Sequence, residues 1–412
     1  MIKHKTALAV NLLVGCFFLT VLTIKSGYAI SPILLILFGI GYAIRGFSEK
    51  RLWHIDHEQK KLVFSCVFYA LLFILSFFIY DGKPKEFELP LRVLLLLPLL
   101  PLFNRYKLKF NVIISFIPVG AIIAALIALF DRFYLHSPMA FGPRIMHIQG
   151  GDISMSLGMF CLVLGVASIT DKNRKNSTAL YFIGAFCGVL GSLLSTARGG
   201  WIGVPFIVAF ILWVYRTSIS KRFFTIGTTV IAIALAVAVT IPQTQILTRI
   251  NQATDEITAY IENGNGSTSV GARFDMWKSA WMMIREKPLF GRGANHIIEK
   301  RQEQYQQGLI SQYAAQFNHS HNQFIDDTVK RGVIGLLALL AVFLVPLRYF
   351  WQYLQSENNE LKVVATLGVV HVISVLFYGF SQAFFAHNSG VFFYFFLIMV
   401  FYGLIHSLKT AK

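Results

Sequence analysis

Acidic residues are scarce in this sequence: of 412 residues only 20 are Asp or Glu, against 37 Lys or Arg, and charged residues of all kinds make up 14%. In a soluble domain about a quarter of the residues are charged, so this chain does not have the composition of a water-exposed surface. Cysteine is scarcer still. Cys16, Cys66, Cys161 and Cys187 each fall within an apolar run and lack the paired spacing of a metal or redox site. That excludes a disulfide framework and leaves buried, inert thiols. No repeat of fixed period and no low-complexity tract is apparent in the sequence. The apolar runs also lack carboxylates, since all 20 acidic residues are expected in loops or at the edges of the runs. Proton-coupled carriers place ionisable groups within their spans, so the pattern speaks against a secondary transporter, whose usual span number is otherwise similar.

Apolar residues are in excess, at 55% of the chain, with a mean hydropathy of +0.60. Windows of about twenty apolar residues, the length that crosses the hydrocarbon core of a bilayer, recur along nearly the whole chain. They predict an all-α polytopic membrane protein, a single bundle over 1–412. About twelve transmembrane helices are expected, at roughly 6–24, 28–44, 62–80, 90–103, 111–130, 153–170, 178–196, 199–215, 223–241, 332–354, 363–380 and 390–408. The formal charge of +17 would suggest nucleic acid in a soluble protein, but here it follows the loops and nucleic acid is not expected as a partner. With the N-terminus inside, twenty basic residues lie in inner segments, seven in short outer ones and ten in the long segment 242–331. The positive-inside rule then places both termini in the cytoplasm and the long, partly helical loop 242–331, between spans nine and ten, outside. The opening MIKHK followed by ALAVNLLVGC imitates a signal peptide, but the apolar run continues to Ile24, too long for one, and is expected to be the first span.

Within the long loop, Val270, Phe274, Trp277, Trp281 and Ile284 recur at spacings of four and three, one apolar stripe on a helix. Arg273, Lys278 and Arg285 lie off the stripe, as expected for a helix at the membrane surface or capping the bundle. Pro288 and two glycines in KPLFGRGANH break that helix, and EKRQEQYQQ reads as a second, solvated one.

The residues that could carry chemistry lie in outer segments. His321, in NHSHNQFIDD, should sit near a helix N-terminus, where the dipole disfavours imidazolium. A histidine kept neutral is a competent general base, although a capping or interfacial role needs no chemistry. His319 and His321, two positions apart, could chelate a metal only from an extended segment, and no third ligand stands nearby, so neither metal nor cofactor is expected. Asp326 and Asp327 resemble the carboxylate motif of metal-dependent glycosyltransferases, but their spacing from Lys330 and Arg331 fits ion pairs on a helix surface. Arg198, in LSTARGGWIG, lies where two apolar runs meet, a costly place for a cation unless it marks a ligand or snorkels to headgroups. Arg273, in the first turn of the surface helix, could share a phosphate with that helix's free amides, or simply be solvated. One ligand suits all three of His321, Arg198 and Arg273: a lipid diphosphate. A second pair, His387 and Asn388, is expected to be interfacial.

His321 and Asn322, nine residues, then Gly332, two residues and Gly335 resemble the spaced motif of bacterial O-antigen ligases. Arg198 and the Gly-Ala-Arg at 271–273 are similar to the two functional arginines of that family. The resemblance implies a GT-C type fold in the bacterial inner membrane with a periplasmic active site. It implies transfer of O-antigen polysaccharide from undecaprenyl diphosphate to a sugar hydroxyl of lipid A–core, metal-independent and inverting. His321 would be the base and Arg198 and Arg273 the diphosphate ligands, with His319 and Asn322 as possible assistants. An O-antigen polymerase, with the same donor, is the nearest alternative. A bacterial protein O-oligosaccharyltransferase is less favoured, because members of that family typically carry an extra periplasmic domain after the last span.

Overall fold

The computed structural model describes residues 2–48, 55–220 and 246–410, with 225 and 229 as isolated positions. Among the described residues there are helices and no strand. In order they are α1 (Ile2–Thr20), α2 (Gly27–Ser48), α3 (His57–Ile79), α4 (Glu88–Leu96), α5 (Leu99–Arg105), α6 (Phe110–Leu129), α7 (His147–Thr170), α8 (Thr178–Leu194) and α9 (Val204–Tyr215). Then follow α10 (Ile246–Asn263), α11 (Ser269–Glu286), α12 (Ile297–Gln306), α13 (Gln323–Trp351) and α14 (Asn359–Ser381). The last, α15, runs over Asn388–Lys409.

Eight helices are long and apolar enough to cross a membrane, and the stretches His4–Thr20 and Gly199–Tyr215 are shorter apolar helices. The expected span at 90–103 is two helices, α4 and α5, because Pro98 stands at the N-terminal cap of α5 and supplies no amide to continue α4. The expected span at 223–241 lies outside the described residues. A count of twelve is therefore an expectation, and the structure describes a polytopic helical membrane protein with eight candidate spans.

Burial sorts the helices. In α7 and α15, 89% of the span window is buried, and 78% in α14, against 33% in α3 and α8. The first three form the interior, which is why α15 can be apolar all round, through the run Phe392–Phe396 and beyond. The outer helices expose large apolar side chains, among them Phe64, Phe78, Phe186 and Phe206. Acyl chains are the medium that suits such a surface. Close approach is built in where α7 meets α8: Ser154 Oγ donates to the Gly188 carbonyl at 2.8 Å, and a side chain at Gly188 would strike the Gly158 backbone.

Polar contacts define two ends of the bundle. At one end the Lys109 amide donates to Asn11 at 2.6 Å, Gln59 pairs with Asn104, and Lys107 Nζ reaches the Thr410 carbonyl at 2.7 Å. At the other, Tyr80 donates to the Gly291 carbonyl at 2.7 Å and Asn295 to the Asp81 carbonyl at 2.6 Å. The second end, called the loop end here, gathers 80–88, 131–146, 195–203, 263–322 and 381–388, the segments that hydropathy alternation assigns to one side.

At the loop end α13 is interrupted. Gly332 has φ of 69° and ψ of −169°, so the helix of Gln323–Arg331 ends and the span begins afresh at Val333. The groups freed by the break are met by the 288–293 turn. Arg292 and Gly293 donate to the carbonyls of Val329 and Lys330 at 3.0 and 2.9 Å, and Val333 donates to the Pro288 carbonyl at 2.8 Å. Only glycine suits this φ, and a Cβ would also meet the Leu289 carbonyl. Gly335 leaves room for the Arg331 side chain, which folds back over it. Gly332→Ala is expected to destabilise the protein by about 2 kcal/mol or more, seen as a lower unfolding temperature in detergent. Gly41→Ala, where an added methyl meets nothing, should leave that temperature unchanged.

Candidate functional site

The histidine segment is a non-helical strap, residues 317–322, laid across α11 and α12 before it enters α13. Asn322 caps α13: its Oδ1 accepts from the amides of Phe324 and Ile325 at 3.0 and 3.1 Å, and its Nδ2 donates to the Phe380 carbonyl at 3.3 Å. Both ends of that side chain are thus committed to holding the strap. His321, one position earlier, has φ of 46°, a left-handed conformation unusual for a side chain of its size. The turn brings the rings of His319 and His321 edge to face, 4.2 Å between centroids, with Phe317 against both. Burial, then His319 and Arg273, push His321 down to about 3 from 6.5, and Asp326 only partly opposes them. Burial likewise holds His319 at about 4. Both imidazoles are neutral at ordinary pH. Burial, rather than the helix dipole expected from the sequence, is the main cause.

Arg273 lies on α11, half-buried, and has no carboxylate partner among the described residues; burial lowers its pKa. It acts electrostatically on His321, so the guanidinium and the imidazole are within reach of one another's charge. The expectation of free amides beside it is corrected. Val270 N–H donates to Glu256 at 2.9 Å and Gly271 N–H to the Thr268 hydroxyl at 3.0 Å, so the first turn of α11 is already satisfied. The apolar stripe is corrected too. The buried face of α11 is Gly271, Ala272, Asp275, Met276, Ser279, Ala280 and Met283, while Trp281 is exposed. Small side chains let α11 settle closely on the strap and α13.

Arg198 stands exposed at the loop end, in the turn between α8 and α9. That turn rests on α14: Gly199 packs on Ser381, and Gly200 on Asp152 and Tyr378. Since Asn322 is tied to Phe380, the Arg198 turn and the histidine strap share one support, the C-terminal end of α14.

Several residues of consequence were not evident from the sequence. Arg301, in the helix expected to be solvated, is fully buried. Its guanidinium donates to the carbonyls of Phe317 at 2.6 Å and His319 at 2.9 Å, and to the Ser320 hydroxyl at 3.1 Å. Ile297, Arg301 and Gln304, one face at helical spacing, are the signal that would have shown it. Asp326 and Asp327 do pair with Lys330, at 2.6 Å, and with Arg331, but as buried residues rather than on a helix surface. Asp326 also accepts the Ser320 amide at 3.0 Å, fixing the strap from below. Asp152 is fully buried within α7 and bonded to Gln382. Asp152, Asp326 and Asp327, expected in loops or at span edges, stand in the first turns of α7 and α13. These helices begin earlier than hydropathy indicates, and their polar first turns are paired inside the bundle. His387, expected to be interfacial, is half-buried and close enough to act on His319. Among the described residues, no group of three His, Cys, Asp or Glu side chains could hold a metal ion.

A helical bundle with a lipid-compatible exterior, carrying at one end a neutral histidine and an arginine that has no carboxylate partner among the described residues, is a polytopic membrane protein. Residues 183–340, which run from α8 past Arg198, Arg273 and His321 into α13, match the family model described as O-Antigen ligase. The chain is also 40% identical over 399 residues to a Haemophilus influenzae protein described as uncharacterized, covering 97% of this chain and 98% of that one. This protein belongs to the O-antigen ligase family, whose ligase and polymerase members are glycosyl-transferring enzymes.

Arg301→Ala should leave the carbonyls of Phe317 and His319 without donors, each at a cost of about 1–3 kcal/mol. The variant is expected to lower thermal stability and to open the strap, read as faster amide exchange over 317–322. Arg301→Lys should recover only part, because one ammonium cannot replace the planar fork. Unchanged exchange in Arg301→Ala would show that the strap is held by other contacts.

Proposed function

We propose that this protein is an O-antigen ligase acting at the periplasmic face of the bacterial inner membrane. It would move a polysaccharide from undecaprenyl diphosphate to a sugar hydroxyl of lipid A–core. The observation that carries this reading is an uncharged His321 within electrostatic reach of Arg273, a guanidinium that has no carboxylate partner among the described residues. Such a pair suits a reaction in which a proton leaves one oxygen while negative charge grows on another.

In the proposed step the acceptor hydroxyl attacks the anomeric carbon from the face opposite the leaving group, and its proton passes to the imidazole of His321. The bond from the anomeric carbon to the diphosphate oxygen breaks, the configuration inverts, and the electron pair stays on the diphosphate. Arg273 and Arg198 would meet the charge that develops there. A diphosphate beside Arg273 also offsets the cation that depresses His321, so the imidazole becomes more basic when the donor is in place. The fold would be of the GT-C type and the reaction metal-free. Two lipid-borne substrates reach such a site along the membrane, which suits a pocket at the end of the bundle.

In a strain lacking its own ligase, this gene should restore laddered lipopolysaccharide on a silver-stained gel. His321→Ala should lower transfer by about 10²–10⁴-fold, and Arg273→Ala or Arg198→Ala by about 10²–10³-fold, while the proteins still accumulate in the membrane. Full ladders from His321→Ala would remove the base. Supplying preformed polymer on its lipid carrier with lipid A–core separates ligase from polymerase, since only a ligase needs no further repeat units.

The pH dependence carries its own sign. Because His321 in the free protein is held near 3, far below its ordinary 6.5, kcat/KM should show no acid limb from this group between about pH 5 and 8. For stability the sign is the same. The unfolded chain takes up a proton below about 6.5 that the folded chain refuses, so this residue's contribution falls as the pH drops from 6.5 towards 3. An acid limb near 6.5 that vanishes in His321→Gln would contradict the buried, neutral imidazole.

A further inference from the structure

Beside the start of α13, just after the histidine strap, lies a cavity of about 500 Å³. It is framed by the α1–α2 turn, the 85–92 segment, residues 144–146 and the start of α13. Six cationic side chains line it: Lys25, Lys85, Arg92, Arg144, Lys330 and Arg331. Four are already paired, Arg92 with Glu88 at 2.9 Å, Arg144 with Asp131 at 2.5 Å, Lys330 with Asp326 at 2.6 Å, and Arg331 with Asp327. Lys25 and Lys85 are exposed and have no ion pair among the described residues. The carboxylates that share the cavity wall are Glu86, Glu88 and Asp326. Of these, Glu88 and Asp326 are neutralised, and Glu86 accepts the Lys83 amide at 3.0 Å. Two uncommitted ammonium groups thus remain at the mouth. Tyr28, Phe73, Leu89 and Phe385 supply an apolar part of the wall.

Exposed lysines beside apolar side chains, at the end of a membrane bundle, match a lipid headgroup that carries phosphate. The cavity also touches the reaction site through two residues. Asp326, on its wall, accepts the Ser320 amide, and His387, also on its wall, acts on His319 and is acted on by Lys85. Two cationic sites of different character therefore act near the histidine strap. Arg273 is half-buried and suited to charge developing on a leaving group. The lysines are solvated and suited to a phosphate that stays charged throughout.

We propose that this cavity, through Lys25 and Lys85, binds the phosphate of the acceptor, a phosphorylated glycolipid, while the donor diphosphate occupies the Arg198 and Arg273 side. The assignment rests on the two-lipid transfer reading above. Each lipid then has its own cationic anchor, so acceptor and donor headgroups need not compete for the same arginines.

The test is binding to the full-length protein in nanodiscs, with three probes: lipid A carrying its phosphates, the same lipid A after phosphatase treatment, and undecaprenyl diphosphate. Lys25→Ala/Lys85→Ala should bind phosphorylated lipid A about tenfold more weakly than the wild type. Dephosphorylated lipid A should bind both proteins alike, undecaprenyl diphosphate should be unaffected, and Lys25→Arg/Lys85→Arg should bind as the wild type does. Equal affinity of double-alanine variant and wild type for phosphorylated lipid A overturns the proposal. So does a matching loss of undecaprenyl diphosphate binding, which would make the cavity the donor's. Competition by inorganic phosphate as effective as that of lipid A would reassign the site to free phosphate. Glycan transfer measured on the same preparation is a separate readout. Its absence would count against the proposed reaction, whereas the phosphate dependence of binding judges the cavity.

Discussion

The guanidinium of Arg301, wholly removed from solvent, holds the backbone that carries both histidines. An ion of this kind is costly to bury alone, and here no carboxylate bonds to it directly. Instead its donors are spread over main-chain carbonyls and two hydroxyls, and Asp326 supplies the nearby negative charge. The strap has no regular secondary structure to satisfy its carbonyls, so the guanidinium does what a neighbouring strand or helix turn would otherwise do. The left-handed backbone at His321 can persist because the strap is held from above by Arg301 and Trp277, and from below by Asp326 and Asn322.

The break at Gly332 belongs to the same construction. Were α13 continuous, its first turns would point along the span. The interruption lets Gln323–Arg331 pack across the bundle, where Gln323 accepts the Phe385 amide at 2.8 Å and Arg331 stacks 3.5 Å from the Phe73 ring while pairing with Asp327. The spaced motif from His321 to Gly335 thus has a physical reading at each end: the histidine and asparagine end the strap, and the glycines allow a broken helix and a folded-back arginine. Charge is distributed to match. Arginines that serve structure are paired or clamped, while Arg273 has no such partner among the described residues.

Much of the architecture was legible from hydropathy alone. The apolar helix at the start, the interior helices, the helical pieces of 242–331 and the proline break after α11 follow from local composition, which neighbouring residues decide together. The break within 90–103 is not visible to hydropathy, because a proline is apolar and its effect lies in its missing amide. The packed face of α11 is not legible in its aromatic stripe, because small residues, which carry little hydropathy signal, do the packing. Arg301, Asp326 and Asp327 were assigned to solvent because charge in a sequence carries no record of its partner.

The sequence by itself determined that this chain is a membrane-embedded helical bundle and which side chains were worth watching, since apolar run length and residue chemistry are local quantities. Only the tertiary structure decided which of the charged residues are buried and paired, that His321 is kept neutral chiefly by burial, and that Arg273 acts on it from 48 positions away. Solvent exclusion and electrostatic proximity are properties of neighbours in space, and in this fold those neighbours come from α11, α12, α13 and α14 at once.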